Sequence, residues 1–220
     1  MPIFPLVGAL TGLLGGVFTW SLESAFTAQF SATLGLGLIL LLNGAQHVDG
    51  LLDFGDGIMC HGSRSRKLRV MADPQTGAGG FTLGLIVILA SVFAIANLNR
   101  DVVIKALIVS EAAAKFSMVF QAWLGKSAHE GLSTRFIAVM HSRRRNLKII
   151  LSILFLILIT LPALNVTGLM VIFATMGVPC VVMVIANEAF GGLTGDVMGA
   201  TGEITRLVSL AVITVGMGWL

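Results

Sequence analysis

Ala78-Gly-Gly-Phe-Thr-Leu-Gly-Leu-Ile-Val-Ile-Leu-Ala-Ser-Val-Phe-Ala-Ile-Ala-Asn-Leu98 runs for 21 residues without a charged side chain. About 20 apolar residues in helical conformation cross a bilayer core. The run is continuously apolar rather than alternating, which argues against a barrel strand. Val166–Ala186 is a second uncharged run of the same length. Ile149–Leu164 is shorter and purely apolar, and Ala28–Leu42 leads into the polar Asn43 and Gln46. Ile3–Trp20 and Leu207–Leu220 carry no charge, whereas Val102–Leu124 has the length of a span but holds Lys105, Glu111 and Lys115. The pattern predicts an all-α, polytopic membrane helix bundle of about seven transmembrane helices, in one integral-membrane domain over residues 1–220.

Composition points the same way. Of 220 residues, 56% are hydrophobic and 11% charged, where soluble domains run near a quarter charged. Such apolarity excludes a disordered chain, and two cysteines, Cys60 and Cys180, exclude a disulfide scaffold. The first span lacks the basic flank of a signal peptide, since the first Lys or Arg is Arg64. Gly8, Gly12 and Gly16, four apart, give that span a smooth stripe for packing within the chain or for a homo-oligomer contact.

The scarce charges are not scattered. Polar loops at 47–77, 125–148 and 187–206 follow the second, fourth and sixth spans, so all three share one face. They hold 11 of the 14 Lys and Arg and 8 of the 11 Asp and Glu, with Arg206 ending the third. The positive-inside rule makes this face cytoplasmic, in a multi-pass inner (cytoplasmic) membrane protein whose solvent is the lipid bilayer. Charge this concentrated predicts polar chemistry on one surface. Nothing in it points to nucleic acid.

The first loop opens His47-Val-Asp49-Gly-Leu-Leu-Asp53-Phe-Gly-Asp56-Gly57. Spacings of four and three put the three carboxylates on one helix face, where they repel one another. A divalent cation offsets that repulsion, and an oxygen-only set suits Mg²⁺ or Mn²⁺. Magnesium favours a few carboxylates completed by substrate phosphates, so the expected ligand is a metal-bridged phosphate or diphosphate. Arg64 and Arg66 follow as candidate phosphate clamps. Asp73-Pro-Gln-Thr-Gly77 then brings backbone N–H groups to the start of the third span, an anion site by geometry. In the third loop five glycines fall between Gly191 and Glu203, with Gly192, Thr194, Gly195, Asp196 and Glu203 as candidate binding residues. Glu111 and Lys115, four apart inside a span, are expected to neutralise each other and to line a cavity. Four histidines share no helical pairing, which disfavours zinc.

Three motifs together resemble the cobalamin synthase (adenosylcobinamide-GDP ribazoletransferase) family. They are His47-x-Asp49-Gly-x-x-Asp53-x-x-Asp56-Gly57, Met71-x-Asp73-x-x-x-Gly77, and Gly191-Gly-x-Thr194-Gly-Asp196-x-x-Gly199-Ala-x-x-Glu203. Phe4-Pro-Leu-Val-Gly8 and Glu130-Gly-Leu132 also fit, so the resemblance spans most of the chain. It implies an Mg²⁺-dependent membrane transferase. An α-ribazole, usually its 5′-phosphate, attacks adenosylcobinamide-GDP, and GMP leaves. On this reading Asp49, Asp53, Asp56 and Asp196 hold the metal, and His47 or one of the aspartates takes the proton of the attacking hydroxyl. Pro74 stands where the family commonly has Ser, and Glu111 and Lys115 stand near the arginine of many bacterial members. The alternatives are another Mg²⁺-dependent membrane transferase (CDP-alcohol phosphotransferase or prenyltransferase type) and a cation transporter using Glu111 and the loop acids. Acids at the surface rather than the midplane count against transport.

Overall fold

The computed structural model describes residues 1–218, so Trp219 and Leu220 of the expected last span lie outside the described residues. The chain forms α1 (Phe4–Leu22), α2 (Ala28–Leu42), α3 (Gln46–Met59), α4 (Arg64–Met71), α5 (Ala78–Ala96), α6 (Arg100–Leu124), α7 (Leu132–His141), α8 (Arg145–Ala189) and α9 (Gly195–Gly218). Four of these, α1, α5, α8 and α9, are long and apolar enough to cross a membrane, and the bent pair α2–α3 makes up to five. The 45-residue α8 is broken at Asn165 (φ 49°, ψ −123°). A Cβ on Gly168 would stand 2.7 Å from the carbonyl oxygen of Thr160. In a straight helix those residues are about 12 Å apart, so the chain folds back at Asn165 into two arms.

The charged α6 is the axis of the bundle. Sixteen of its residues are buried, and α1, α8 and α9 pack around it. It carries charge because it faces protein and not lipid. The glycine stripe of α1 lies on it: Gly8 and Gly12 face the carbonyls of Glu111 and Leu107, and a Cβ on Gly16 would meet Ile104 Cα at 2.9 Å. The stripe is therefore used within the chain. Exposed apolar side chains such as Leu10, Phe81, Ile86, Leu158, Phe173 and Val181 cover the outside, where a bilayer would stand. The chain start joins the polar end of the bundle, since Phe4 packs edge-on against Phe136 (5.3 Å between centroids) and Ser152 donates to the carbonyl of Pro2.

Candidate active site

The turn after α2 builds the site. Gly44 (φ 65°) and Ala45 (φ 56°) are both left-handed, and they swing α3 by 93° away from α2. α3 then lies outside the spanning direction, across the polar end, between α9 and α5. Backbone meets backbone on both sides: a Cβ on Gly50 would stand 2.8 Å from Asp196 Cα, and one on Gly55 2.9 Å from Gly80 Cα. Only glycine permits such approach.

This packing completes the acidic set. Asp49, Asp53 and Asp56 share the face their spacing predicts, and Asp196 joins them from the first turn of α9. Burial, then Asp49, Asp196 and Asp56 in turn, push the Asp53 carboxyl up to about 7. Four acids thus behave as one cluster. Among the described residues no basic side chain pairs with any of them, and no three His, Cys, Asp or Glu converge closely enough to hold an ion unaided. Thr194 starts α9, accepting from the Val197 N–H (3.1 Å) and donating to Asp196 Oδ2 (3.3 Å).

Asp56 has a second partner. Its Oδ2 accepts from Gly77 N–H (2.7 Å) and its Oδ1 from Gly80 N–H (2.8 Å). The N–H groups expected to meet a substrate anion at the start of α5 hold this carboxylate instead.

Asp49 and Asp196 open onto a cleft of about 690 Å³, the size of a small-molecule site. His47 and Gln46 line the same end of α3, Gly195 the start of α9, Arg135 and Phe136 come from α7, and Met118 and Phe4 add apolar wall. A neighbouring pocket of about 540 Å³ adjoins it, lined by Glu130, Gly131, Thr134 and again Arg135. Arg135 is thus the cation facing both. In the sequence nothing sets it apart from the five other bases of loop two. Burial, then Lys115 and Arg206, hold the His47 imidazole down to about 3, so it is neutral.

Other expected residues lie elsewhere. Arg64 donates to the carbonyls of Asn187 and Glu188, closing the C-terminus of α8 (3.1 Å each). Arg66 is exposed on α4, and Asp73 accepts from Gln75 N–H within its own turn (2.9 Å). Gly192 backs onto residues 126–128, where Ala128 N–H donates to Leu193 O and Leu193 N–H to Lys126 O, tying loops two and three together. Glu203 does not reach the cleft, and Arg206 does not end a surface loop. Both are about 1% exposed inside the bundle. Arg206 pairs with Glu203 and with Glu111 (3.3 Å). The expected Glu111–Lys115 pair is absent, because α9 brings Glu111 a guanidinium and Lys115 turns to Asn43 and His47.

A family model described as cobalamin-5-phosphate synthase matches residues 1–214. The chain belongs to this family. Family relatives named adenosylcobinamide-GDP ribazoletransferase include one from Methanocella arvoryzae, 34% identical over 96% of this chain and 84% of its own. Another, from Methanococcoides burtonii, is 30% identical over 96% and 80%, and one from Escherichia coli is 28% identical over 94% and 84%. No solved structure matches the chain. The cobalamin-5-phosphate synthase match covers all three motifs that converge at the polar end.

Proposed function

We propose that this enzyme transfers the cobinamide phosphate of adenosylcobinamide-GDP to α-ribazole or α-ribazole 5′-phosphate, releasing GMP. The observation that carries the reading is the meeting of Asp49, Asp53 and Asp196 beside a small-molecule cleft, in a chain whose relatives bear that activity by name. The acceptor hydroxyl forms a bond to phosphorus, the bond to GMP breaks, and the hydroxyl proton leaves to a base.

The donor set fits Mg²⁺. Three carboxylates have no basic partner, and Asp56 is partly engaged by α5. One or two carboxylates completed by phosphate oxygens and water are what magnesium prefers. Since no three of these groups converge on one point, a pair among Asp49, Asp53 and Asp196 would hold it, with Asp56 adjoining. The ion supplies charge neutralisation at the diphosphate. Arg135 faces substrate phosphates across the cleft, and α7 with Phe136 walls off water. We infer seven crossings, counting α2, α6 and both arms of α8, with the polar end in the cytoplasm. The ten Lys and Arg of loops one and two support that orientation.

The test is GMP release from adenosylcobinamide-GDP and α-ribazole 5′-phosphate, with and without Mg²⁺. Release that needs both substrates and the metal is expected. Release from a CDP-alcohol instead, or ion flux in liposomes without GMP, overturns the reading.

A further inference from the structure

Lys115 is 6% exposed, and its Nζ lies 2.7 Å from Asn43 Oδ1 and 3.2 Å from His47 Nδ1. The Asn43 amide is oriented by its own Nδ2, which donates to Ile39 O at 3.0 Å, so its oxygen faces Lys115. An ammonium has three donors and no acceptor. It occupies the lone pair of Nδ1, and the one proton of the neutral ring then sits on Nε2. His47 lines the cleft with Asp49 and Asp196.

Asn43 Oδ1 can only accept, so the Lys115 nitrogen is the donor between them. Beneath Lys115, Arg206 pairs with Glu111 and Glu203, all three about 1% exposed. Two carboxylates and one guanidinium leave a net negative charge there, which an ammonium brings to neutrality. The layer between α6 and α9 therefore supplies the proton donor that grips His47.

We propose that Lys115 is a positioning residue that holds His47 by Nδ1, so that His47 donates its Nε2–H to a phosphoryl oxygen in the cleft and is not the base. This rests on the phosphoryl-transfer reading above. The proton of the attacking hydroxyl passes to another acceptor, and Asp49 and Asp196 are the carboxylates lining the cleft.

The discriminating pair is H47Q and H47A in the full chain in detergent, with thermal melting to confirm that both fold. Glutamine carries an amide N–H near the position of Nε2 and has no basic nitrogen. H47Q should keep turnover within about tenfold of wild type, while H47A falls on the order of 10²-fold or more. H47Q falling as far as H47A overturns the proposal. K115M should lower kcat with KM unchanged, and K115R should restore part of it. Because K115M removes a buried charge and could misfold, a second measurement uses the wild type. ¹⁵N-histidine spectra should show the His47 proton on Nε2, and a proton on Nδ1 overturns the proposal. That spectrum does not depend on activity. Wild-type protein that releases no GMP would count against the function, and a wrong tautomer only against this inference.

Discussion

Gly50→Ala probes the crossing of α3 and α9 on which the cluster depends. The new Cβ would stand 2.8 Å from Asp196 Cα and 2.9 Å from its carbonyl oxygen. Non-bonded carbons rest at about 3.5–4.0 Å, so the two helices must part by roughly 1 Å, and both neighbours are backbone that cannot rotate aside. Replacing a helical glycine by alanine gains about 1 kcal/mol intrinsically, and overpacking costs about 1–3 kcal/mol. The net loss of stability is then about 0–2 kcal/mol on these figures. The loss of function is larger. Asp49 and Asp53 flank Gly50 on α3 while Asp196 rides on α9, and a displacement of about 1 Å between groups that act together costs on the order of 10²-fold in rate.

The assay is GMP release at saturating substrate, read beside thermal unfolding in the same detergent. Two controls separate packing from chemistry. Gly16→Ala meets Ile104 Cα at 2.9 Å on the α1–α6 seam and should lose comparable stability while the folded protein keeps its turnover. Gly37→Ala on α2 meets nothing within 4 Å and should be neutral or stabilising. Wild-type kcat and melting temperature in Gly50→Ala would refute the close crossing.

Asp53→Asn should lower GMP release on the order of 10²–10³-fold, and excess Mg²⁺ should not recover it; near-normal turnover removes Asp53 from the metal set. Asp56→Ala frees the first turn of α5 and should cost about 1–2 kcal/mol of stability, measured by unfolding of the unliganded protein. Arg206→Leu leaves Glu111 and Glu203 without their guanidinium and should cost about 3–5 kcal/mol, seen as a large fall in melting temperature. Arg135→Gln should raise KM for the 5′-phosphorylated acceptor about 10–100-fold, the worth of a charge-assisted hydrogen bond. It should leave the unphosphorylated acceptor unchanged, and equal effects on both acceptors would sink its assignment.

What could be read from the chain follows the range of each interaction. Apolar runs announce helices because hydropathy is summed over neighbours, and Asp49, Asp53 and Asp56 share a face because helical spacing is local. Their union with Asp196 hinged on a backbone crossing that only Gly50 and Gly199 hinted at. The partners Gly77 of Asp56, Glu188 of Arg64 and Glu111 of Arg206 lie 21, 124 and 95 residues away, and no local pattern encodes them. One signal was present for Arg206: it stands three residues after Glu203, immediately before an uncharged run. A lone pair at that spacing entering an apolar helix marks ions buried together. The loop reading instead spread both over the surface.

The two charged layers of the site were built by opposite rules. Inside the bundle, Arg206 pairs with Glu111 and Glu203, and Lys115 turns to Asn43 and His47, so two acids and two bases share the layer. At the cleft, Asp49 and Asp196, with Asp53 beside them, have no basic partner among the described residues, and burial followed by the neighbouring acids raises the Asp53 carboxyl. Burial disfavours charge most in the inner layer, and there the fold supplies a counter-ion to both carboxylates. Ten Lys and Arg stand in loops one and two at the same end of the molecule, yet Arg64 is spent on the carbonyls of α8 and Arg145 on that of Trp123. Among the described residues none of these bases pairs with Asp49, Asp53 or Asp196. On the magnesium reading proposed above, the counter-ion these acids lack is a cation bound together with the substrate.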